Sequence, residues 1–186
     1  MALTLGTNCG FVSPAPVADP EATGLNLSGT AIALKVVAPY GATAVTEIGW
    51  WCDNATDERD FEVGLYTHDP GADEPEALIG KSAATAKGTT AGWKKVSGLS
   101  IPVVAGTTYW LAVQLDGSAE VAQIDYTPTV GQRQAKITSQ TTLIDPWGTS
   151  ASLTENLNGI YCLFTMTGGA AKHSYGSIAA DELRGD

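Results

Sequence analysis

Alternating apolar and polar positions, broken at short intervals by turn residues, run through most of the chain. The runs are rich in Val, Ile, Thr, Tyr and Trp, and they are separated by Gly, Asp, Asn and Pro. This pattern is typical of an all-β sandwich or barrel, and no stretch has a convincing period of 3.6 residues. It predicts nine strands, at 31–37, 44–52, 60–68, 77–83, 92–101, 107–116, 121–127, 133–139 and 159–167.

Two of the predicted strands have an apolar face that suits the centre of a sandwich. Successive side chains in a strand point to opposite faces, so every second residue shares a face. In the third predicted strand one face is apolar from Phe61 to Leu65. In the sixth an unbroken apolar row runs from Tyr109 to Leu115. We therefore expect these two strands to lie in the middle of the fold.

The stretch "EIGWWCDNATDERDFEVGLYTHD", residues 47–69, fits either a binding site or a strand, a polar turn and a second strand. Trp50 is in phase with Ile48, so we expect it in the core, and Trp51 then falls on the opposite face. Asp, Asn and Thr in the segment 52–60 favour a turn, because their side chains bond to nearby backbone. We predict that this segment connects two antiparallel strands.

The length of 186 residues suits one domain with extended ends. Pro14, Pro16 and Pro20 interrupt an N-terminal stretch with few periodic apolar positions, which favours an extended arm over a helix. The predicted organisation is an extended N-terminal arm over 1–30, an antiparallel β-sandwich of the jelly-roll type over 31–167, and a C-terminal tail over 168–186.

Charge narrows the expected partners. The net charge is -10, charged residues make up only 16% of the chain, and Lys and Arg form no cluster. Because phosphate groups are bound by grouped Lys and Arg, we expect neither nucleic acid nor an anionic membrane surface as a partner.

No apolar run is long enough to span a bilayer, and the first residues lack the features of a signal peptide. We therefore expect synthesis in the cytoplasm, unless a leader has been removed from this sequence.

Three cysteines, Cys9, Cys52 and Cys162, lie far apart in the chain. No two have the spacing of metal ligands, and an odd number argues against a disulfide framework. Cysteine is among the residue types most often buried, so we predict three buried thiols.

Acidic residues after the second strand form a weak candidate calcium site. Asp53, Asp57 and Asp60 offer hard oxygen ligands of the kind that calcium takes. Their spacing departs from the EF-hand loop, because no Gly stands at the required position and no bidentate Glu closes the loop. A solvated turn is the favoured interpretation, and no cofactor is predicted.

The sequence contains no recognisable catalytic set. Its two histidines are His68, at a predicted strand end beside Asp69, and His173, in the predicted tail. No nucleophile elbow, zinc-protease motif or Cys–His pattern appears, and no two carboxylates are tied together as a glycosidase would need. The prediction is that the protein is not an enzyme.

Aromatic side chains raise the alternative of sugar binding. Rings displayed on a sheet face or loop stack on pyranosides. A large ring that faces water is unfavourable for the protein unless the ring binds something. Trp147 is the best candidate for an exposed ring because Pro146 and Gly148 mark a loop. The competing interpretation is that the rings are buried. The predicted sugar-binding residues are Trp51, Trp147, Trp110 and Tyr126, from a pool that also includes Trp93 and Tyr40.

The stretch from Phe61 to Leu115 resembles small jelly-roll modules of phage virion proteins and of carbohydrate-binding and cell-surface proteins. The shared pattern is a strand ending in Leu-Tyr, then Leu-x-Gly, then Gly-Trp-x-x-Val, then Pro-Val-x-x-Gly-Thr-Thr-Tyr-Trp. The matching positions are Leu65–Tyr66, Leu78–Gly80, Gly92–Trp93 with Val96, and Pro102–Trp110. The stretches "LGTNCGFVSPAP" and 47–69 are also similar to small phage-encoded proteins. The resemblance implies a sandwich, and such sandwiches serve many functions.

Together these features lead to one expected function and one alternative. The expected function is a non-enzymatic structural protein of a virion, which decorates a capsid or lies on a tail surface. Its expected partners are copies of itself, with a trimer as one form, and a larger protein shell. Its N-terminal arm would lie along a neighbour. The alternative is a carbohydrate-binding or receptor-recognising module at an extracellular or cell surface.

Overall fold

The structure is a computed structural model that describes residues 2–21, 23–54, 58–116, 120–125 and 133–167. This part of the chain contains strands and turns and no helix, which confirms the prediction of an all-β fold. The strands are β1 (Gly10–Phe11), β2 (Thr23–Asn26), β3 (Thr30–Val37), β4 (Ala42–Asn54), β5 (Asp60–Asp69), β6 (Glu74–Lys81), β7 (Thr85–Ala86), β8 (Gly92–Pro102), β9 (Thr108–Leu115), β10 (Glu120–Asp125), β11 (Gln134–Thr138), β12 (Ser152–Thr154), β13 (Asn156–Asn158) and β14 (Ile160–Met166).

The strands form two sheets that pack face to face as a sandwich. In the first, which we call the β4 sheet, the order is β1-β14-β4-β10-β13, with β2 paired to β10 and β8 paired to β4. In the second, the β9 sheet, the order is β12-β11-β3-β9-β5-β6, with β7 paired to β5. All the described pairings are antiparallel except that of β1 with β14.

The main core lies between the two sheets. The β9 sheet contributes the apolar rows of β5 and β9, which are in register because Val63 pairs with Val113. From the β4 sheet, Ile48 and Trp50 are fully buried, and the Trp50 ring meets the Phe61 ring edge to face, with centroids 5.7 Å apart. The predicted central strand pair and the predicted phase of Trp50 are both confirmed.

A second core covers the outer face of the β9 sheet. Tyr66 and Trp110 point away from the main core, and the connection 139–151 crosses over them. Trp147 in that connection is fully buried, and its ring meets the Tyr66 ring edge to face, with centroids 5.0 Å apart. The central strands of this sheet are therefore apolar on both faces because both faces are covered.

The predicted pairing of the strands around segment 52–60 is wrong. β4 belongs to the β4 sheet and β5 to the β9 sheet, so the segment passes from one sheet to the other. Both edges of β4 are already taken, since Ile48 pairs with Val96 on β8 and with Cys162 on β14. β5 therefore has no place beside β4 and pairs with β9 instead.

The N-terminal stretch predicted as an extended arm contributes to the fold. Leu3, Cys9 and Phe11 are buried in the main core, and β1 and β2 add to the β4 sheet. The proline-bearing part, residues 13–21, lies outside strands. The sequence pattern missed these two strands, as well as β7, β12 and β13, because each has no more than four residues, too few for an alternation to appear.

The predicted burial of the three cysteines is confirmed. Burial raises the pKa of the Cys9 thiol to about 12 and the pKa of the Cys162 thiol well above its usual value. Because the thiolate is the reactive form, these two side chains act as core residues.

Nothing among the described residues forms a helix with the length and apolar character that crossing a membrane requires.

Candidate functional site

Two of the predicted sugar-binding rings are buried. Trp110 and Trp147 have no exposed surface, so the prediction that Trp147 is displayed on a loop is wrong. Its Nε1 donates a hydrogen bond to Ser150 Oγ at 3.1 Å, and its backbone N–H donates to the Glu76 carbonyl at 2.8 Å. The loop thus turns its ring inward and bonds to the outer edge of β6. Tyr126 lies outside the described residues.

Trp51 lies on the outer face of the β4 sheet in a row of three aromatic rings. Its half-buried ring meets the Trp93 ring with centroids 5.5 Å apart, and Trp93 meets Tyr161 at 5.2 Å. The N-terminal stretch covers part of this row, because Trp93 Nε1 donates to the Ala18 carbonyl at 3.1 Å. Trp51 and Trp93 are the rings of the predicted pool that keep partial exposure on a sheet face.

Glu47 lies beside this aromatic row and is held by three side chains. Tyr161 Oη donates to Oε1 at 2.7 Å, Ser97 Oγ donates to Oε2 at 2.5 Å, and Lys95 Nζ lies 3.2 Å from Oε2. Burial alone would raise the pKa of Glu47, but the bonds from Ser97, Tyr161 and Lys95 outweigh it and lower the pKa below its usual value. This carboxylate therefore fastens β4 to its two neighbouring strands.

Glu62 holds the connection that carries Trp147. Its carboxylate accepts hydrogen bonds from Lys81 Nζ, Thr142 Oγ1 and the Leu143 backbone N–H, each to Oε2 at 2.8 Å. Burial raises the pKa of Glu62, but these bonds outweigh it, and the net pKa lies below the usual value. The charged form of Glu62 therefore holds the connection 139–151 in place over the second core.

A third group of charged side chains lies on the outer face of the β9 sheet, with Asp73 at its centre. Its carboxylate lies 2.5 Å from Lys35 Nζ, 2.8 Å from Arg133 Nη1 and 3.8 Å from His68 Nε2. Trp110 Nε1 donates to His68 Nδ1 at 3.2 Å, so the proton of the neutral imidazole is on Nε2 and faces Asp73. Burial, followed by the charge of Lys35, lowers the pKa of His68. This group ties the β5–β6 turn to β3 and to the start of β11.

The weak calcium candidates are not brought together. Asp53 lies near the end of β4 in one sheet, and Asp60 begins β5 in the other, with its side chain exposed. Asp57 lies outside the described residues. Within the described ranges, no group of three or more His, Cys, Asp or Glu side chains is placed to hold one metal ion.

Large apolar side chains are exposed at one end of the sandwich. Of the six large apolar side chains that are exposed in the described ranges, four lie at this end. They are Val37, at the end of β3, Tyr40, in the β3–β4 turn, Val104, in the β8–β9 connection, and Met166, at the end of β14. We call these four residues, with the connections that carry them, the uncharged end.

The name reflects the sequence around these residues. The runs 36–46, 96–115 and 156–167 contain no Asp, Glu, Lys, Arg or His, although the chain has a net charge of -10. The fold places the ends of these three runs next to one another, because Val37 pairs with Thr108 and Met166 pairs with Ala42. An apolar surface without charge is therefore concentrated in one place on an acidic protein.

Backbone hydrogen bonds hold the connections of the uncharged end together. The Ala38 N–H donates to the Thr107 carbonyl at 3.0 Å, and the Gly106 N–H donates to the Ala38 carbonyl at 2.8 Å. The Thr167 N–H donates to the Gly41 carbonyl at 2.8 Å. Because these bonds lock the β3–β4 turn against the β8–β9 connection and the end of β14, the exposed side chains stand on a defined surface.

An open cleft of about 480 Å³ adjoins Val104 at the uncharged end. Apolar side chains dominate its walls, and His68 lies at one edge. The Val104 N–H donates to Tyr109 Oη at 2.9 Å, which fixes the loop at the mouth of the cleft. The other apolar wall residues are Pro70, Ile79, Pro102 and Val103.

Sequence reasoning named Tyr40 in the aromatic pool but missed Val37, Val104 and Met166. The three long runs without charge are visible in the sequence and were the available signal. Their meeting at one end depends on the strand pairing, which the alternation of apolar residues does not give.

Comparisons with known proteins return nothing: no family model, no curated protein and no solved structure matches this chain. Function therefore has to be inferred from the residues of the chain itself. Among the surfaces that the structure describes, the uncharged end is the candidate that internal contacts do not explain.

We expect the Glu62→Gln variant to lose part of the acid sensitivity of the fold. Because the folded-state pKa of Glu62 is below its ordinary value of 4.5, its stabilising effect is complete above about pH 4.5 and is lost as the pH falls through the folded-state pKa. Urea unfolding between about pH 7 and pH 3 should therefore show a shallower decline in stability for Glu62→Gln than for the wild type. The control Glu76→Gln changes an exposed acid on β6, and an equally shallow decline there would contradict the assignment.

Proposed function

We propose that the protein is a non-enzymatic structural component of a virion, a β-sandwich that decorates a capsid or a tail surface by binding other protein subunits. The uncharged end is the observation that carries the proposal. Monomeric soluble proteins rarely leave large apolar side chains clustered in water, and such patches mark interaction sites. Here Tyr40 is 93% exposed and Val104 is 66% exposed on a surface without charge.

The use of acids and rings elsewhere in the described ranges supports a binding role. Glu47, Glu62 and Asp73 are each engaged by neighbouring side chains in contacts that fasten strands or loops. Trp110 and Trp147 fill the second core. These side chains therefore stabilise the fold. The virion setting itself comes from the resemblance of residues 61–115 to modules of phage virion proteins.

Co-sedimentation tests the proposal. A tagged copy of the protein expressed in its source cell should sediment in a density gradient with particles whose shell proteins are identified by mass spectrometry. Val104→Glu should reduce the amount on particles, because it places a charge in the apolar contact, and Val17→Glu should not. Val17 is 89% exposed but belongs to the N-terminal stretch. Recovery of all the wild-type protein as free subunits of 19.2 kDa would overturn the proposal.

A carbohydrate-binding role is the second candidate, supported by the aromatic row on the β4 sheet. Trp51 and Trp93 keep partial exposure beside Lys95 and Ser97, so rings and hydrogen-bonding groups share one surface. A glycan array separates the two candidates. Binding by the wild type that is lost in a folded Trp51→Ala variant would favour the sugar-binding role. An array without any binding would remove this second candidate.

A further inference from the structure

We propose that the partner at the uncharged end is a second copy of this chain, whose own uncharged end packs against it about a twofold axis. The inference rests on the proposed assembly function and names the partner for that surface. A twofold contact uses the same surface on both copies, so a projecting residue of each copy meets a recess of the other.

The distribution of charge limits where two copies of this chain can meet. Each chain carries a net charge of -10, so two copies repel one another when acidic surfaces approach. Repulsion between exposed charges weakens beyond about 8 Å at physiological ionic strength. Contact through the runs 36–46 and 96–115, which carry no charge, therefore brings two acidic copies together with the least repulsion.

The shape of the uncharged end also suits a self-contact. Tyr40 is 93% exposed on the β3–β4 turn, and the apolar cleft lies beside Val104 in the neighbouring β8–β9 connection. Ala38 joins the two connections, because it bonds to the backbone of Gly106 and Thr107. A projecting ring and an open recess on the same end are the two parts that a twofold contact requires, since each copy then receives the ring of the other.

The rim of the uncharged end follows the pattern of protein interfaces. His68 borders the apolar cleft, and Asp69 at the end of β5 and Asp73 in the β5–β6 turn follow it in the chain. Interfaces typically have a core without charge and a polar rim. Because the backbone of the two connections and of the end of β14 is already fixed, association would cost less conformational entropy.

Sedimentation equilibrium with matched variants tests the inference. The wild type should have twice the chain mass of 19.2 kDa, and Val104→Glu should weaken the dimer by roughly 100-fold or more, because a like-charge pair then lies in an apolar contact. Val17→Glu adds the same charge elsewhere and should leave the dimer intact. Tyr40→Glu provides a second variant at the contact, and circular dichroism spectra that match the wild type show that both variants fold.

Thiol cross-linking gives an independent measurement. Val104→Cys, treated with a flexible bismaleimide, should give a covalent dimer, whereas Val17→Cys should give no covalent dimer. The native thiols do not compete, because Cys9, Cys52 and Cys162 are buried. Equal cross-linking of the two variants would contradict a contact at the uncharged end.

The outcomes separate this inference from the proposed function. If the wild type is monomeric but Val104→Glu still prevents its binding to particles, the self-contact is refuted and the assembly function stands. If the dimer forms through the uncharged end but the protein sediments with no particle, the assembly function is refuted and the self-contact stands.

Discussion

Replacing Trp147 with alanine is expected to lower the free energy of unfolding by about 3–5 kcal/mol, the range for truncating a large buried ring. The side chain has no exposed surface and lies in the second core against Tyr66 and Trp110. Its removal leaves a cavity beneath the connection 139–151 and also breaks the hydrogen bond from Nε1 to Ser150. Chemical denaturation of the variant and the wild type, followed by fluorescence or circular dichroism, measures the loss.

The matched control is Val17→Ala, which truncates an apolar side chain that is 89% exposed and lies outside the uncharged end. This change should shift stability by no more than about 0.5 kcal/mol, as is usual for surface substitutions. A Trp147→Ala variant as stable as Val17→Ala would show that the ring does not support the fold. In that case Trp147 would return as a candidate for ligand contact.

Trp147 also shows where sequence reasoning failed. Pro146 and Gly148 correctly indicate a loop, but a loop can turn a ring inward when the sheet below it offers an apolar face. The signal for such a face was present, because Tyr66 and Trp110 lie on strands whose opposite face already supplies the main core. A central strand with large rings on its outward face needs another segment to shield those rings from water. Here the connection 139–151 shields them, and local sequence patterns do not identify a segment so far away in the chain.

Local alternation predicted the long strands and their faces well. All nine predicted strands are present, with bounds within three residues at the ends that the structure describes. The phases of Trp50 and Trp51 follow, because a period of two leaves no other choice once Ile48 faces the core. Alternation does not choose a partner strand, which is why β4 and β5 were predicted to pair although they lie in different sheets.

The candidate site was predictable only in part for the same reason. Runs such as 96–115 show from the sequence alone that charge is excluded over many residues. The exposure of Val104 and Val37 depends on where β8, β9 and β3 end relative to one another, and hydrogen-bond register sets those positions. The uncharged end is therefore a product of long-range pairing, and a local motif does not encode it.

Replacing Gly49 with alanine is expected to cost about 3 kcal/mol, at the upper end of the range for an overpacked site. A Cβ at this position would lie 2.4 Å from Cε1 and 2.6 Å from Cζ of the Tyr161 ring, closer than carbon atoms can approach. The ring cannot move aside easily, because its hydroxyl donates to Glu47 and its face meets Trp93. Either β4 and β14 separate locally, or Tyr161 gives up both contacts.

A double-mutant cycle isolates this clash from the general cost of replacing glycine. In a Tyr161→Ala background the space above residue 49 is open, so Gly49→Ala should then change stability by less than about 1 kcal/mol. Gly71→Ala serves as the control, because its methyl group would meet only the half-buried carboxylate of Asp69, 3.2 Å away. Denaturant unfolding of the four variants and the wild type gives the coupling energy. Equal costs of Gly49→Ala in both backgrounds would mean that Tyr161 does not occupy the space above Gly49, and the contact of its hydroxyl with Glu47 would then need another explanation.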